Sequence, residues 1–496
     1  MLGRHISLRR NLDRWGLAVA RSLTPRTRIV ARSVQNRVRP PRLVAQSDGE
    51  HEVAVDVWAE TRDLADRLLG ALTAGGVDAY RTWLGGEAVV VEADQAAQAI
   101  EVLQSQPEAA TWWVRGPRRR YRPLSEVTAG PRVGRWRVRV DRGGSTAQGL
   151  TGQGVGVILQ FAGHEAHATE HLPLRHTDLP HLLRITEPID VVYTWVDDTD
   201  PDWQRQRAAT VPGDELAIDA LSASRTVDHG ELRYSLRSLA SFAGWVRHVW
   251  IVTSGQVPTW LDVDHPKVTV VPHRAIFTDQ AALPTFNSHA IESQLHHIDG
   301  LAEHFLYLND DVFFGRPVAP ELFFHGNGIA KFMTSDLTID VDSDDTPRNG
   351  AAAAARHNRD LIERVWHRTV THRMKHVPHA HRRSSLAELE AREPELFARV
   401  ARSRFRSTDD VSVASDLGHY HAYAQGLAAP GTLAFRYVDL TTPSLGRYLD
   451  DLLARRAFDV FCLNDADSDQ STDQDGVVAD FLQRYFPAPS PFERAW

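Results

Sequence analysis

A single cysteine, Cys462, is all the thiol this 496-residue chain carries, so no intramolecular disulfide can form. With nothing cross-linked, a reducing cytoplasm is the simpler setting. Long apolar runs are missing too: none approaches the roughly 18–20 residues that a membrane-spanning helix needs. Lysine occurs only at positions 267, 331 and 375, which reads as a bias of genome composition and not of function. Net positive charge is also lacking. A balance of -8 argues against nucleic acid as a partner, because phosphate backbones are bound by cationic surfaces. What is present, 42% hydrophobic and 24% charged residues, excludes a disordered or fibrous chain and allows about two to four domains.

The first 44 residues depart from the acidic balance. They hold eleven arginines, from Arg4 to Arg42, against one acid, Asp13, a local excess of 11 − 1 = 10 positive charges. No uninterrupted apolar stretch with a cleavage site follows, so the segment does not read as a secretory signal. It reads as a basic flexible tail (1–44), with peripheral contact to an anionic membrane as the sharper alternative. The expected location is therefore the cytoplasm, at the inner face of the plasma membrane.

Residues 45–185 form an expected small α+β module of unassigned role. His51–Trp58 alternates like a strand, and Thr61–Leu72 has helical spacing. Ala88–Val91 reads as a strand, Asp94–Leu103 as a helix and Trp112–Val114 as a returning strand, an order that suggests a ferredoxin-like arrangement. Arg118–Arg122 reads as a basic linker, and Arg135–Val140 alternates arginine with apolar residues like an edge strand.

The character changes near Pro188. Ile189–Val196, His248–Val252, Val268–Val271 and Phe305–Leu308 are near-continuous apolar strands, with helical patterns at Glu231–Phe242 and Ser288–His297. Strands apolar on both faces, alternating with helices, predict an α/β fold with a mostly parallel sheet covered on both sides. Ligands of such sheets bind beyond the carboxyl ends of the strands. The catalytic domain is expected over 186–430, with 431–496 as an extension packed on it.

Phe305–Leu308 runs into Asn309-Asp310-Asp311, and two adjacent carboxylates at a strand end call for a neutralising cation. Read alone, they could equally cap a turn. Ile189–Val196 delivers a second acidic cluster, Asp197-Asp198-Thr199-Asp200, to the same edge. Arg233 and Arg237, four apart on one helix, suit bidentate grip of a phosphate or carboxylate. His289, Glu292 and His296 have a spacing compatible with zinc, although buried hydrogen-bonded polar residues are the better reading. Lys375–His381 is dense in imidazoles, any of which titrates near neutral pH. Phe405–Asp410 offers Arg406 and two carboxylates, and Asp465–Asp475 imitates a calcium loop without its glycine or its final glutamate.

These segments, in this order, resemble the Stealth family, which includes bacterial capsular-polysaccharide phosphotransferases and the catalytic subunit of eukaryotic N-acetylglucosamine-1-phosphotransferase. The first signature region resembles Ile189–Asp200, and the second Glu231–Leu261 continuing through PTFNSH to Gly315. The third is similar to the stretch around His376–His379, and the fourth to Arg406–Asp410. The resemblance implies a GT-A-like nucleotide-sugar fold, a Mg²⁺ or Mn²⁺ cofactor, a UDP-sugar donor and a polysaccharide or oligosaccharide acceptor. The implied reaction is attack of an acceptor hydroxyl on the sugar-attached phosphorus, with UMP leaving. Asp310 and Asp311 match the metal motif; His376 and Arg406 match the catalytic histidine and arginine, with Asp410 joining them. Asp197, Arg233, Asn309 and Lys331 are the expected donor-binding residues. Asp197-Asp198 stands where many relatives have Asn-Gly, which puts the role of that turn in doubt. A retaining glycosyltransferase releasing UDP and a non-catalytic surface or immune-interaction protein are the competing expectations.

Overall fold

A computed structural model describes residues 57–83, 87–115, 122–127, 134–140, 157–162, 180–211, 230–339, 350–442, 444–464 and 475–494. The basic 1–44 tail, residues 118–121 of the linker and residues 465–474 of the acidic loop lie outside these residues.

The first described element of the amino-terminal module is a helix, Val57–Ala74, which buries Leu64, Leu68 and Leu72 at successive turns. Residues 57 and 58 are thus helical and not part of a strand; the rest of the expected strand, 51–56, lies outside the described residues. The two periodicities overlap at this point, and a run of three alternating valines is too short to separate them. Six strands follow: β1 (Ala79–Trp83), β2 (Glu87–Glu92), β3 (Trp112–Arg115), β4 (Arg122–Pro123), β5 (Gly134–Val140) and β6 (Val157–Ala162). They pair in the order β1-β2-β6-β5-β3-β4, with β2 and β6 parallel, a larger and mixed sheet than the ferredoxin-like expectation. β5 is an interior strand, not an edge, since β6 and β3 flank it. Its alternation reports only which face is buried, namely that of Trp136 and Val138, and says nothing of its hydrogen-bonded sides.

The second unit is built on β7 (Ile189–Thr194), β8 (Val249–Thr253), β9 (Val268–Pro272) and β10 (His304–Asn309). All four run parallel, in the order β10-β7-β8-β9, so their carboxyl ends share one edge. Val191, Val192, Tyr193, Ile251, Val252, Phe305, Leu306 and Leu308 are all buried, which is why these strands read as continuous apolar runs. The α/β, mostly parallel expectation holds. One acid enters the sheet: Asp190, fully buried, accepts from Arg247 Nε at 2.7 Å, Trp250 Nε1 at 2.9 Å and the Ala302 amide at 2.9 Å.

The helix Glu231–Phe242 begins after Gly230, whose φ of 82° suits glycine. The expected helix over Ser288–His297 is shorter: it stops at Glu292, and a separate 3₁₀ turn spans Leu295–His297. Trp58 Nε1 donates to the Phe242 carbonyl at 3.1 Å, and one apolar core runs through both units. β11 (Val312–Phe314) leaves the main sheet directly after Asp311, and β12 (Ala330–Phe332), β13 (Thr334–Thr338) and β14 (His372–Met374) form small side pairings. β15 (His379–Arg382) then adds antiparallel to β10 with His379 opposite Tyr307. Near the carboxyl terminus, β16 (Ala428–Pro430) pairs with β12, and β17 (Phe435–Asp439) and β18 (Val460–Asn464) complete a sheet in the order β11-β18-β17. The described residues of the segment 431–496 are therefore woven into the unit. Among the described residues no helix is long and apolar enough to cross a membrane.

Candidate active site

β10 ends at Asn309, at the shared carboxyl edge, and the chain turns through Asp310 and Asp311 into β11. Because β15 is antiparallel to β10, the residues just before β15 arrive at that same edge, and they include His376. β18 pairs with β11 so that Cys462 lies opposite Val312, which brings Asn464 alongside the acidic turn. Three distant segments thus meet at one carboxylate. Asp311 Oδ1 lies 3.0 Å from His376 Nε2, while Asp311 Oδ2 accepts from Asn464 Nδ2 at 2.8 Å and from the Cys462 thiol at 3.3 Å. Asn309 Nδ2 is 3.4 Å from the same histidine nitrogen, and Tyr307 OH donates to Asn309 Oδ1 at 2.8 Å.

The electrostatics are those of an ion pair. Burial alone would push the Asp311 carboxyl up, but His376, with the Asn464 and Cys462 donors, outweighs it and holds the group below its ordinary range. For His376, burial disfavours the charged ring, yet Asp311, Glu292 and Asp310 together raise its pKa above the ordinary value. The two partners agree in direction. Burial, reinforced by Asp311 and Asp310, pushes the Cys462 thiol well up, so it remains a protonated donor.

Tyr307 is the hub on the other side. It is fully buried, and the charges of Glu292, Arg406 and Asp310 all act on its hydroxyl. Arg406 is fixed by Ser288 Oγ at 2.7 Å, at the start of the short helix that also carries Glu292. Glu292 in turn accepts from the Ser415 amide at 2.9 Å and its hydroxyl at 2.8 Å. Asp410 is buried and accepts from Asn287 Nδ2 at 2.8 Å and the Ser407 amide at 3.0 Å, with His289 Nδ1 at 3.5 Å. It pins the loop that presents Arg406.

Asp310, Asp311, Asn309, His376 and Arg406 thus gather around the end of β10. The other expected residues are engaged elsewhere. Asp197 Oδ1 accepts from Thr199 N at 2.9 Å, and Asp200 caps the helix Pro201–Thr210, so this acidic cluster builds its own turn. Arg233 Nε and Arg237 Nε grip Glu493, at 2.6 and 2.7 Å, so the carboxylate they hold belongs to the chain's own tail. Lys331 Nζ donates to the Glu321 carbonyl at 2.6 Å, and burial lowers its pKa. His379 is buried, pairs with His419 Nε2 at 2.9 Å, and is kept well below its ordinary pKa first by burial and then by neighbouring histidines. The zinc-compatible spacing of His289, Glu292 and His296 does not converge, because the three side chains turn to Asp410, Ser415 and Glu390 respectively.

Sequence reasoning overlooked Asn464 and Tyr307 and saw Cys462 only as a lone thiol. A signal for Asn464 existed: Leu463-Asn464-Asp465 repeats the Leu308-Asn309-Asp310 with which β10 ends.

The chain matches Stealth protein conserved region 1 at 187–214, region 2 at 225–332, region 3 at 375–423 and region 4 at 450–496. The fourth region is therefore the carboxyl-terminal segment with Asn464, not Arg406–Asp410, which falls with His376 in the third. Among curated proteins it is 49% identical over 309 residues to exopolysaccharide phosphotransferase SCO6023 of Streptomyces coelicolor, covering 62% of this chain and 52% of that one. It is 42% identical over 320 residues to exopolysaccharide phosphotransferase CpsY of Mycobacterium leprae, covering 64% and 58%. The chain thus spans about half the length of the curated relatives it matches. Among solved structures, galactosyltransferase LgtC in complex with donor and acceptor sugar analogs aligns with 61% of this chain and 96% of its own, at 10% identity and a TM-score of 0.32. With all four conserved regions present in order, the chain belongs to the Stealth family.

Proposed function

We propose that the chain transfers a sugar-1-phosphate from a UDP-sugar to a hydroxyl of a polysaccharide or oligosaccharide in exopolysaccharide synthesis. The observation that carries this reading is the convergence of Asp311, His376 and Asn309 at the carboxyl edge of a parallel sheet, with Arg406 beside Tyr307. The names of the curated relatives, exopolysaccharide phosphotransferases, support it.

The site fits a divalent ion: Asp310 and Asp311 set two adjacent carboxylates at the strand end, with the Asn309 amide beside them. Asp310 and Asp311 would hold the ion by hard oxygens, which suits Mg²⁺ or Mn²⁺. When bound it supplies positive charge to the diphosphate. His376 takes the proton of the acceptor hydroxyl. Its Nε2–H faces Asp311, so in the neutral tautomer the lone pair is on Nδ1, and the nearby carboxylate strengthens it as a base. The acceptor oxygen bonds to the sugar-attached phosphorus as the bond from that phosphorus to the bridging oxygen breaks, and UMP departs. Arg406 offsets the diphosphate charge with a fixed fork of donors. Asp410 positions the Arg406 loop and does not touch substrate. His379, buried and paired with His419, is the poorer base.

The test is incubation with a panel of UDP-sugars and Mg²⁺ or Mn²⁺, followed by identification of the nucleotide. UMP is expected, with EDTA abolishing its release. UDP would assign glycosyl transfer instead. The arginine-rich residues 1–44 would hold the enzyme to an anionic membrane, so deleting them should weaken sedimentation with phosphatidylglycerol vesicles, most at low salt.

A further inference from the structure

A second convergence of nitrogen and oxygen ligands lies behind the helical segment that carries Ser288 and Glu292. His296 and His297, in the 3₁₀ turn Leu295–His297, both direct Nε2 at one carboxylate oxygen, Glu390 Oε2, each at 2.7 Å. Glu390 comes from the helix Arg383–Arg392. His297 Nδ1 lies 2.9 Å from the Ile276 carbonyl, which only accepts, so Nδ1 carries the hydrogen. In the neutral ring Nε2 is then a bare lone pair, facing a carboxylate oxygen that is also an acceptor. Positive charge has to lie between them, either the proton of an imidazolium, which the Glu390 carboxylate favours, or a metal ion. His296 brings a second nitrogen to the same oxygen, with ring centroids 4.2 Å apart, and its burial opposes a second imidazolium there.

We propose that His296, His297 and Glu390 form a binding site for a zinc-class divalent ion, separate from the centre at Asp311. Two imidazole nitrogens and one carboxylate are a ligand set that zinc accepts and that magnesium and calcium do not favour. The hydrogen bond from His297 Nδ1 to a backbone carbonyl is the usual orienting contact of a metal-binding histidine. His296 is oriented by packing, edge-on against Phe397, because its Nδ1 is buried with no hydrogen-bond partner among the described residues. Bonds of about 2.0–2.1 Å in a tetrahedral site separate ligand atoms by roughly 3.3 Å, so binding must open the present contacts slightly. Glu390 can move to allow this: its side chain is 29% exposed, as is 26% of that of His297. The same opening admits the ion and leaves room for water as the fourth ligand. Such an ion would tie the helix Arg383–Arg392 to the segment whose other end presents Ser288 to Arg406.

The test uses the full chain, stripped with chelator and titrated with Zn²⁺ by calorimetry, with metal content measured after desalting. Co²⁺ serves as a spectroscopic probe, since four-coordinate Co²⁺ absorbs strongly in the visible. In an Asp311→Asn background, which disables the other cluster, one equivalent of Zn²⁺ should still bind. Its affinity should fall at least 100-fold in Glu390→Gln and in His297→Gln, two substitutions of similar size that keep the fold. Zinc should raise the thermal midpoint of the parent and not of those variants. Failure to take up stoichiometric zinc, with His297 appearing as an imidazolium by NMR, would reduce the cluster to an ion pair and overturn the proposal. So would uptake that survives Glu390→Gln but vanishes in Asp311→Asn, since the ion would then sit at the active centre.

Discussion

Asn464 offers the sharpest perturbation of the active centre, because it is a neutral side chain that touches only the support of the reaction. Its Nδ2 donates to Asp311 Oδ2 at 2.8 Å, and its Oδ1 accepts from Tyr437 OH at 3.0 Å. Of the three groups around Asp311, the thiol at 3.3 Å is a weak donor and His376 Nε2 is shared between the oxygens, 3.0 Å from Oδ1 and 3.2 Å from Oδ2, so Asn464 at 2.8 Å is the closest restraint on Oδ2. A hydrogen bond to a charged group contributes about 1.5–3 kcal/mol. At about 1.4 kcal/mol per tenfold, that is roughly 10- to 100-fold in affinity for an ion held by the carboxylate, the range typical for loss of a group that orients a metal ligand. Asn464→Ala should therefore raise the half-saturating Mn²⁺ or Mg²⁺ concentration by about 10- to 100-fold, with turnover largely restored at saturating metal. The assay is the initial rate of UMP release against metal concentration at fixed UDP-sugar, with circular dichroism to verify the fold. An unchanged metal curve would refute the reasoning. So would a loss of rate that added metal does not recover, since Asn464 would then act on the reacting groups directly.

His376→Ala should lose about 10²- to 10⁴-fold in turnover while calorimetry shows UDP-sugar binding nearly retained. Arg406→Lys should also fail, because an ammonium cannot reproduce the guanidinium fork; full activity in either variant would remove that residue from the mechanism. Glu493→Ala leaves Arg237 buried without its carboxylate and should cost about 3–5 kcal/mol in urea unfolding, with a loss under about 1 kcal/mol counting against a structural role for the tail. Asp416 is pushed up to about 7, first by burial and secondly by Glu292, against the Asn358 hydrogen bond and the Arg373 charge. Between about pH 5 and pH 7 the folded protein keeps a proton that the unfolded chain has released, so stability falls as pH rises, by about 1.4 kcal/mol per unit. Asp416→Asn should escape that fall, and its stability advantage over the parent should widen by a few kcal/mol from pH 5 to pH 8; a gap independent of pH would show that the buried carboxyl ionises normally.

What the sequence disclosed follows from what is costly to bury or to leave unpaired. Strands covered on both faces must be apolar throughout, so β7 to β10 were legible, and the helix Glu231–Phe242 was legible to the residue. Adjacent carboxylates at a strand end announce themselves because they demand compensation, and Asp310-Asp311 does lie where the segments meet. Arg233 and Arg237 did announce a bound carboxylate, yet nothing in a local pattern says whether that carboxylate is a ligand's or, as here, Glu493 at the far end of the chain. Asn464 was illegible for a related reason. An amide at a strand end carries no charge to justify, and its partner lies 153 residues away. The fourth conserved region lies not at Arg406–Asp410, where chemically conspicuous residues cluster, but in the tail, whose contributions are an amide, a thiol and a structural carboxylate. Reactive groups can be read from composition and spacing, whereas the neutral groups that aim them are fixed by strand pairing. The Leu-Asn-Asp that closes β10 recurs at the end of β18, the strand that pairs with β11, and so left a trace of Asn464 in the sequence itself.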